Sequence, residues 1–298
     1  MMTQSGPNRD AISATGKRTS FVAAGSPSHS TPSGLHGAFV ALACTALGGP
    51  ALAADAFSTD WAKSPKSEAR LVAAGDRLAG FEIKLAPGAI TYWRDPGDSG
   101  IPPTFDFTAS VNVAKIEPIF PAPKRIKESD GGEAFGYESG VIIPLRVEPA
   151  DRAKPVTLAL QANYAVCEKV CLPAEARLKL TLPEAAGSPY AGAVEAALVA
   201  APTPVARADF GQLAPDGPNG WRFCASGAGA TARDLFVEPP PGWWVTAAPM
   251  GAEGGTRDCF HLALREKPKD AAFPVNLRLT LTGGTGPVET TVAAPAPR

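Results

Sequence analysis

The sequence predicts an all-β protein made of two consecutive antiparallel β-units, the second smaller than the first. Three observations carry this prediction. Apolar and polar residues alternate with period two in many short segments, and no stretch shows the 3.6-residue period of a long helix. Glycine and proline number 30 and 31 among 298 residues, well above ordinary usage, as short strands joined by turns require. Once a leader of 53 residues is removed, 245 remain, more than a single domain of about 100–150 residues.

The leader is read from Leu35 to Leu47, an apolar run that ends in Gly48-Gly49-Pro50 and then Ala51-Leu52-Ala53. Such a run falls short of the roughly 18–20 residues needed to cross a bilayer, and the small-x-small triplet predicts cleavage before Ala54. Residues 1–53 therefore read as a signal peptide that takes Cys44 with it, and the protein is expected in the periplasm without a membrane span. Cleavage leaves 25 basic and 28 acidic residues, a formal charge of −3. This charge, with no basic block or stripe, argues against nucleic acid or anionic membrane as a partner. His29 and His36 are also lost, leaving only His261. That excludes a histidine-rich metal site, and no serine or cysteine nucleophile stands out beside His261, which reads as a surface residue. Gly227-Ala-Gly229 and Gly283-Gly-Thr-Gly286 lack the lysine-serine pair of a phosphate loop and read as turns.

In chain order, Phe81, Ile83 and Leu85 alternate with Glu82 and Lys84, predicting a half-buried strand. Val141–Val147 predicts another, and Pro144 within it argues for an edge or a bulge. Val156, Leu158 and Leu160 mark a third strand; Leu178, Leu180 and Leu182 mark a fourth. Strands at this spacing without intervening helices predict an immunoglobulin-like antiparallel sandwich over residues 54–185. Leu182-Pro183 through Gly187-Ser-Pro189 closes it, Tyr190–Ala200 predicts a short helix, and Ala201-Pro-Thr-Pro204 reads as a stiff linker, so that 186–204 joins the two units. A second, smaller β-domain over 205–298 follows from Trp221 and Phe223, Leu235–Glu238, Trp243–Thr246, Phe260/Leu262/Leu264 and Val275/Leu277/Leu279/Leu281. By parity Cys224 shares a face with Arg222, and Cys259 with His261, away from the large apolar residues. If bonded, these two cysteines join neighbouring strands or loops on the outer side.

Four cysteines survive cleavage, an even set that reads in an exported protein as two disulfides. Cys167 and Cys171 stand four apart in a short loop between two strands, within Tyr164-Ala-Val-Cys-Glu-Lys-Val-Cys-Leu-Pro173. In the chain-entropy account, a bridge closing the long Cys224–Cys259 loop stabilises by about 4 kcal/mol and one closing the short loop by about 2. The long one looks structural, whereas the short one costs the fold less when opened. Spacing alone leaves redox chemistry, a structural staple and metal binding all open. Lys169 between the cysteines would stabilise a thiolate and Glu168 would oppose it. Tyr164 lies at the strand end beside them, and Tyr92, Trp93 and Arg94 either line the site or fill the upper core, with Trp93 assigned to the core.

The segments Thr91-Tyr-Trp-Arg-Asp-Pro-Gly-Asp-Ser-Gly-Ile-Pro-Pro103, Pro121-Ala-Pro-Lys-Arg125, Gly136-Tyr137, Ile143-Pro-Leu-Arg146 and Tyr164–Glu175 follow in order. Together they resemble the N-terminal periplasmic region of the DsbD and ScsB thiol:disulfide interchange proteins, most of all the ScsB branch associated with copper tolerance. The resemblance covers residues 60–183, with weaker similarity at the helix and at Leu235-Phe-Val-Glu238. It implies an immunoglobulin-like domain whose cysteine pair, without a cofactor, relays electrons from a membrane-embedded thiol reductase to thioredoxin-like and other oxidised periplasmic proteins, as a component of a protein-disulfide reductase. It further implies that Cys171 forms the mixed disulfide, that Cys167 resolves it, and that an aromatic side chain on a cap loop shields the bridge. The matching stretch is Glu128–Tyr137, with Phe135 or Tyr137 as the shield. Full-length members continue into a multi-helix membrane domain and a thioredoxin-like domain that this sequence does not contain, so the donor is expected in trans. Two other classes compete: a Cu(I) carrier using the reduced pair, and a non-catalytic interaction module in which both bridges are staples.

Overall fold

Alternation places Leu71 and Ala73, Phe81 and Ile83, and Ile143, Leu145 and Val147 on one face of neighbouring strands. It places Leu158, Leu160, Ala162 and Tyr164 with Ala176, Leu178 and Leu180 on the face of another pair, and all are buried. Two such faces escape water by packing on each other, which makes a sandwich. The computed structural model describes residues 55–128, 132–183, 187–226, 233–251 and 258–298; the predicted leader lies outside them.

The strands ahead of the helix are β1 (Ala62–Ser64), β2 (Ser67–Ala73), β3 (Leu78–Leu85), β4 (Ile90–Gly97), β5 (Thr104–Asp106), β6 (Val113–Pro118), β7 (Lys124–Lys127), β8 (Glu133–Glu138), β9 (Gly140–Pro149), β10 (Thr157–Cys167) and β11 (Cys171–Thr181). One sheet has the order β1-β2-β3-β9-β6. The other has β11-β10-β4-β8-β7, with β5 also on β10. All these pairings are antiparallel.

Two expectations for the first sandwich need correction. Pro144 sits in an inner strand, since β9 lies between β3 and β6. Its carbonyl accepts from Ile119 N at 2.8 Å, so its missing N–H falls on the same side, just past Pro118 where β6 ends, and no ladder bond is lost. The Glu128–Tyr137 stretch is mostly not a loop either, because β7 and β8 pair there as a hairpin, Arg125 opposite Phe135.

The helix α1 (Ala191–Val199) follows, with Val194 fully buried against Gly80 of the first sandwich. The expected linker is not free, because β12 (Thr203–Pro204) pairs in parallel with β19 (Val288–Ala294). Thr203 N and Val205 N donate at 3.0 Å to Pro287 O and Glu289 O, so the proline between them surrenders no bond. After the single turn α2 (Arg207–Phe210) come β13 (Gly211–Pro215), β14 (Gly220–Ala225), β15 (Asp234–Glu238), β16 (Trp244–Pro249), β17 (Cys259–Glu266) and β18 (Val275–Thr282). They form the sheets β12-β19-β18-β15 and β13-β14-β17-β16 around a second core that includes Trp221, Phe223, Phe260, Leu262, Leu277 and Leu279.

Strand β15 serves both cores. Leu235 and Val237 belong to the second, whereas Phe236, 1 % exposed, belongs to the first. Its ring lies 5.9 Å from Trp93 and 4.9 Å from Phe135, edge to face in both cases. Ion pairs surround this plug: Arg94 with Glu238 at 2.8 Å and Glu289 at 2.7 Å, and Arg125 with Asp234 at 3.0 Å. Burial opposes the charge on Arg94, but its two glutamates outweigh that and hold its pKa above the ordinary value.

Candidate functional site

The β10–β11 ladder runs without interruption from Thr157–Thr181 to Cys167–Cys171. The two cysteines are thus ladder partners closing a hairpin with a three-residue turn, the short loop expected between two strands. They are bonded to each other, with Cα atoms 4.1 Å apart. Parity puts both on the outer face of their sheet, opposite Tyr164 and Val166. Their environments differ sharply: Cys167 is 4 % exposed, while Cys171 is open to solvent. The difference arises because β10 is an inner strand with β4 on its far side, Ile90 opposite Cys167, whereas β11 is the sheet edge.

Cys167 is covered by Tyr92, Ala134, Ala165 and Ile90, a small apolar cluster on the outside of the sheet. Thr91 ties the strands together by donating from Oγ1 to Ala165 O at 2.8 Å. Tyr92, the next residue, points to the bridge: its Oη stands 2.7 Å from Cys167 Sγ, 3.3 Å from Cys171 Sγ and 2.9 Å from Glu128 Oε1. One phenolic proton serves one of these acceptors at a time. A disulfide sulfur is a weak acceptor, so the carboxylate takes the proton while the bridge is closed; a thiolate on Cys167 competes for it once the bridge opens. The 97–103 segment lies across the ring. Gly100 has φ +115°, and a Cβ there would overlap the Tyr92 ring, so glycine is required on both counts.

The residues proposed to shape the site are placed as follows. Tyr164 is inside the sandwich, its hydroxyl 3.0 Å from Ser67 Oγ and its ring against Phe81; burial raises its pKa. Phe135 and Tyr137, expected as the shield, face inward. Phe135 packs on Phe236, and Tyr137 donates to Pro121 O at 2.8 Å, its pKa pushed well up by burial. They stand two apart on β8, so parity sends both to the core side, and Tyr92 is the aromatic group on the bridge. Lys169 is exposed on the turn, beside Glu168, which pairs with Lys66 at 3.0 Å. Val170 between them and Cys171 is 69 % exposed. Trp93 is fully buried in the core. Cys224 and Cys259 are bonded between directly opposed positions of β14 and β17, with His261 on the same strand opposite Arg222.

Sequence reasoning left Tyr92 open between lining the site and filling the core, where the structure puts it on the bridge, and it missed the roles of Glu128 and Gly100. The signal was present in Thr91-Tyr-Trp-Arg-Asp-Pro-Gly-Asp-Ser-Gly100, a motif too rich in glycine and aromatics for an ordinary turn. Glu128 and the two cysteines have donor atoms within 4.8 Å of one another. This set suits a thiophilic ion only when the sulfurs are reduced, since each is otherwise committed to the other.

The sequence profile of the family described as thiol:disulfide interchange protein DsbD, N-terminal, matches residues 62–183. No curated protein matches the chain significantly. Among solved structures, the crystal structure of the N-terminal periplasmic domain of ScsB from Proteus mirabilis superposes with a TM-score of 0.62 at 19 % identity, covering 81 % of this chain and 100 % of that one. The likeness extends beyond the stretch matched by the family profile and establishes a shared fold. A structure of manganese lipoxygenase of Gaeumannomyces graminis with part of zonadhesin of Komagataella pastoris gives a TM-score of 0.20 at 11 % identity, over 77 % of this chain and 87 % of that one, and bears on nothing here. The match over residues 62–183, with the paired cysteines near their far end, and the shared fold support a relationship to the DsbD/ScsB thiol:disulfide interchange family.

Proposed function

We propose that this protein is an exported, periplasmic thiol–disulfide exchange module that passes electrons from a membrane-embedded reductase, acting in trans, to thioredoxin-like and other oxidised periplasmic proteins. Residues 54–185 form the exchange domain in this reading, after a leader over 1–53, and 186–204 connect it to a second β-domain over 205–298. The single observation that carries the proposal is the asymmetry of the bridge, one sulfur at the surface and its partner buried under a phenolic hydroxyl.

A donor thiolate attacks the exposed Cys171 Sγ, the S–S bond breaks, and its electron pair leaves on Cys167 Sγ. Tyr92 Oη is already 2.7 Å from that atom and donates to the new thiolate, which a buried sulfur needs more than an exposed one. The donor's second thiol then displaces Cys171, completing a two-electron reduction. The reduced pair runs the same steps in reverse on an oxidised acceptor. Opening the bridge removes a link of only four residues, and the uninterrupted β10–β11 ladder keeps the hairpin closed.

Trapping in the periplasm tests this reading. Cys167→Ser leaves an exposed thiol that cannot be resolved and is expected to accumulate mixed disulfides on non-reducing gels, while Cys171→Ser accumulates none. Absence of adducts with both variants would favour a staple. A second reading, Cu(I) binding by the reduced pair, is favoured by the two soft sulfurs lying side by side, within 4.8 Å of each other. Stoichiometric Cu(I) uptake lost in Cys167→Ser, without exchange with thioredoxin-like dithiols, would select it.

A further inference from the structure

The second sandwich holds Tyr92 from two directions. On the inner side, Phe236 fills the space behind β4 and β8. Its ring touches Trp93, the residue after Tyr92, and Phe135, which lies between Ala134 and Gly136. Gly136 is opposite Tyr92 in the β4–β8 ladder, and Ala134 packs in the same cluster as the Tyr92 ring. On the outer side, the segment crossing Tyr92 at Gly100 is tied down by Asp98, which accepts from Trp244 Nε1 at 2.7 Å. Trp244 opens β16 and is 46 % exposed. An indole so exposed adds little to its own core, and the bond it makes reaches across the junction. One residue before Asp98, Gly97 lies against the Phe135 ring, where a Cβ would come within 3.1 Å. The segment is thus fixed at two adjacent points, both of which lead back to the second sandwich.

The geometry points to Phe236 and Trp244 as positioning residues for the redox bridge, through which the second sandwich sets where the Tyr92 hydroxyl stands relative to Cys167 and Cys171. This inference rests on the exchange reading above. Hydrogen-bond strength falls steeply with distance and angle, so a small relaxation of β4 or of the 97–103 segment weakens donation to Cys167. Truncating Phe236 leaves a void behind the strand that collapses only in part. Removing the indole N–H frees a segment with few other anchors, the kind of element that opens first. When the electron pair of the broken S–S bond reaches Cys167 Sγ, a displaced hydroxyl stabilises it less, the closed bridge is favoured, and reduction slows.

The test uses the whole purified chain with Trp244→Phe, Phe236→Leu and a control, Phe223→Leu, which loses comparable volume inside the second core where Phe223 packs on Phe210 and Phe260. Equilibrium against glutathione and the rate of reduction by dithiothreitol are measured for each. Trp244→Phe and Phe236→Leu are expected to shift the equilibrium toward the disulfide by up to about tenfold, about 30 mV for a two-electron couple, and to slow reduction. Phe223→Leu leaves both unchanged. On a Tyr92→Phe background the two shifts disappear. Shifts no larger than the control, or shifts that survive on that background, overturn the inference. Should Phe236→Leu fail to fold, Trp244→Phe at its exposed position decides alone. Neither reagent is a protein partner, so this outcome is independent of whether the trapping experiment finds adducts.

Discussion

The hydroxyl of Tyr92 stands 2.7 Å from the sulfur of Cys167, although 75 residues separate them in the chain. The contact exists because β4 and β10 are laddered with Thr91 opposite Val166, which sets Tyr92 beside Ala165 and diagonal to Cys167 on the same face. A donor so placed acts on whatever charge develops at that sulfur.

Tyr92→Phe keeps the ring beneath Gly100 and removes only the O–H. A hydrogen bond to a charged acceptor is worth about 1.5–3 kcal/mol, so reduction by dithiothreitol is expected to slow by about 10- to 100-fold with an unchanged thermal midpoint. Stopped-flow mixing checks this. An unchanged rate removes Tyr92 from the mechanism.

In the reduced protein the two thiols should differ in reactivity, because alkylation needs access as well as thiolate character. Iodoacetamide is expected to label Cys171 well ahead of Cys167, by about tenfold or more, as read by peptide mass spectrometry over time. Equal labelling means that the cover over Cys167 opens once the bridge is cut.

Acid should loosen the junction between the sandwiches. Glu289 is partly buried, which by itself raises its pKa, yet the hydrogen bonds from Arg278 and Arg94 outweigh burial and hold it below the ordinary carboxylate value. A carboxylate depressed on folding contributes stability that is fully present above its unfolded pKa and is lost as pH falls through the folded one. Asp95 works the other way: burial raises its pKa, so its cost at neutral pH is relieved on acidification. Stability followed by urea titration is therefore expected to fall below about pH 4, and Glu289→Gln to flatten that decline. A variant with the same acid slope as the parent refutes the assignment.

Replacing both Cys224 and Cys259 with serine opens a loop with a sequence separation of 35. The expected cost is about 4 kcal/mol in the chain-entropy account, against about 2 for opening the short bridge. Denaturant midpoints measure the difference. Exchange at Cys167–Cys171 should continue unchanged in the double variant, since that bridge lies in the other sandwich.

The strands with clean alternation, such as Phe81/Ile83 and Leu277/Leu279/Leu281, were legible because large apolar residues fall on one face and alternate with polar ones. The cysteine pair was legible because its spacing is covalent and local. What stayed hidden depended on register. Tyr92 stays undecided between site and core until β4 is laid beside β10, and Phe135 and Tyr137 were misassigned because a stretch read as a loop is a hairpin whose parity turns both rings inward. Pro144 misled for a related reason: a proline marks an edge only where its missing N–H would have met a neighbour, and here the adjoining strand ends at Pro118. Phe236 was unreadable in principle, since nothing in Leu235-Phe-Val says that the middle residue belongs to a different core from its flanks.

Because β15 sends consecutive side chains into different cores, the two halves of this protein are not detachable parts. A recombinant fragment that stops at the helix would leave Trp93 and Phe135 facing water, and the discarded half would carry a bare phenylalanine on its surface. Any rearrangement of this architecture, by gene fusion or by engineering, has to inherit both halves together.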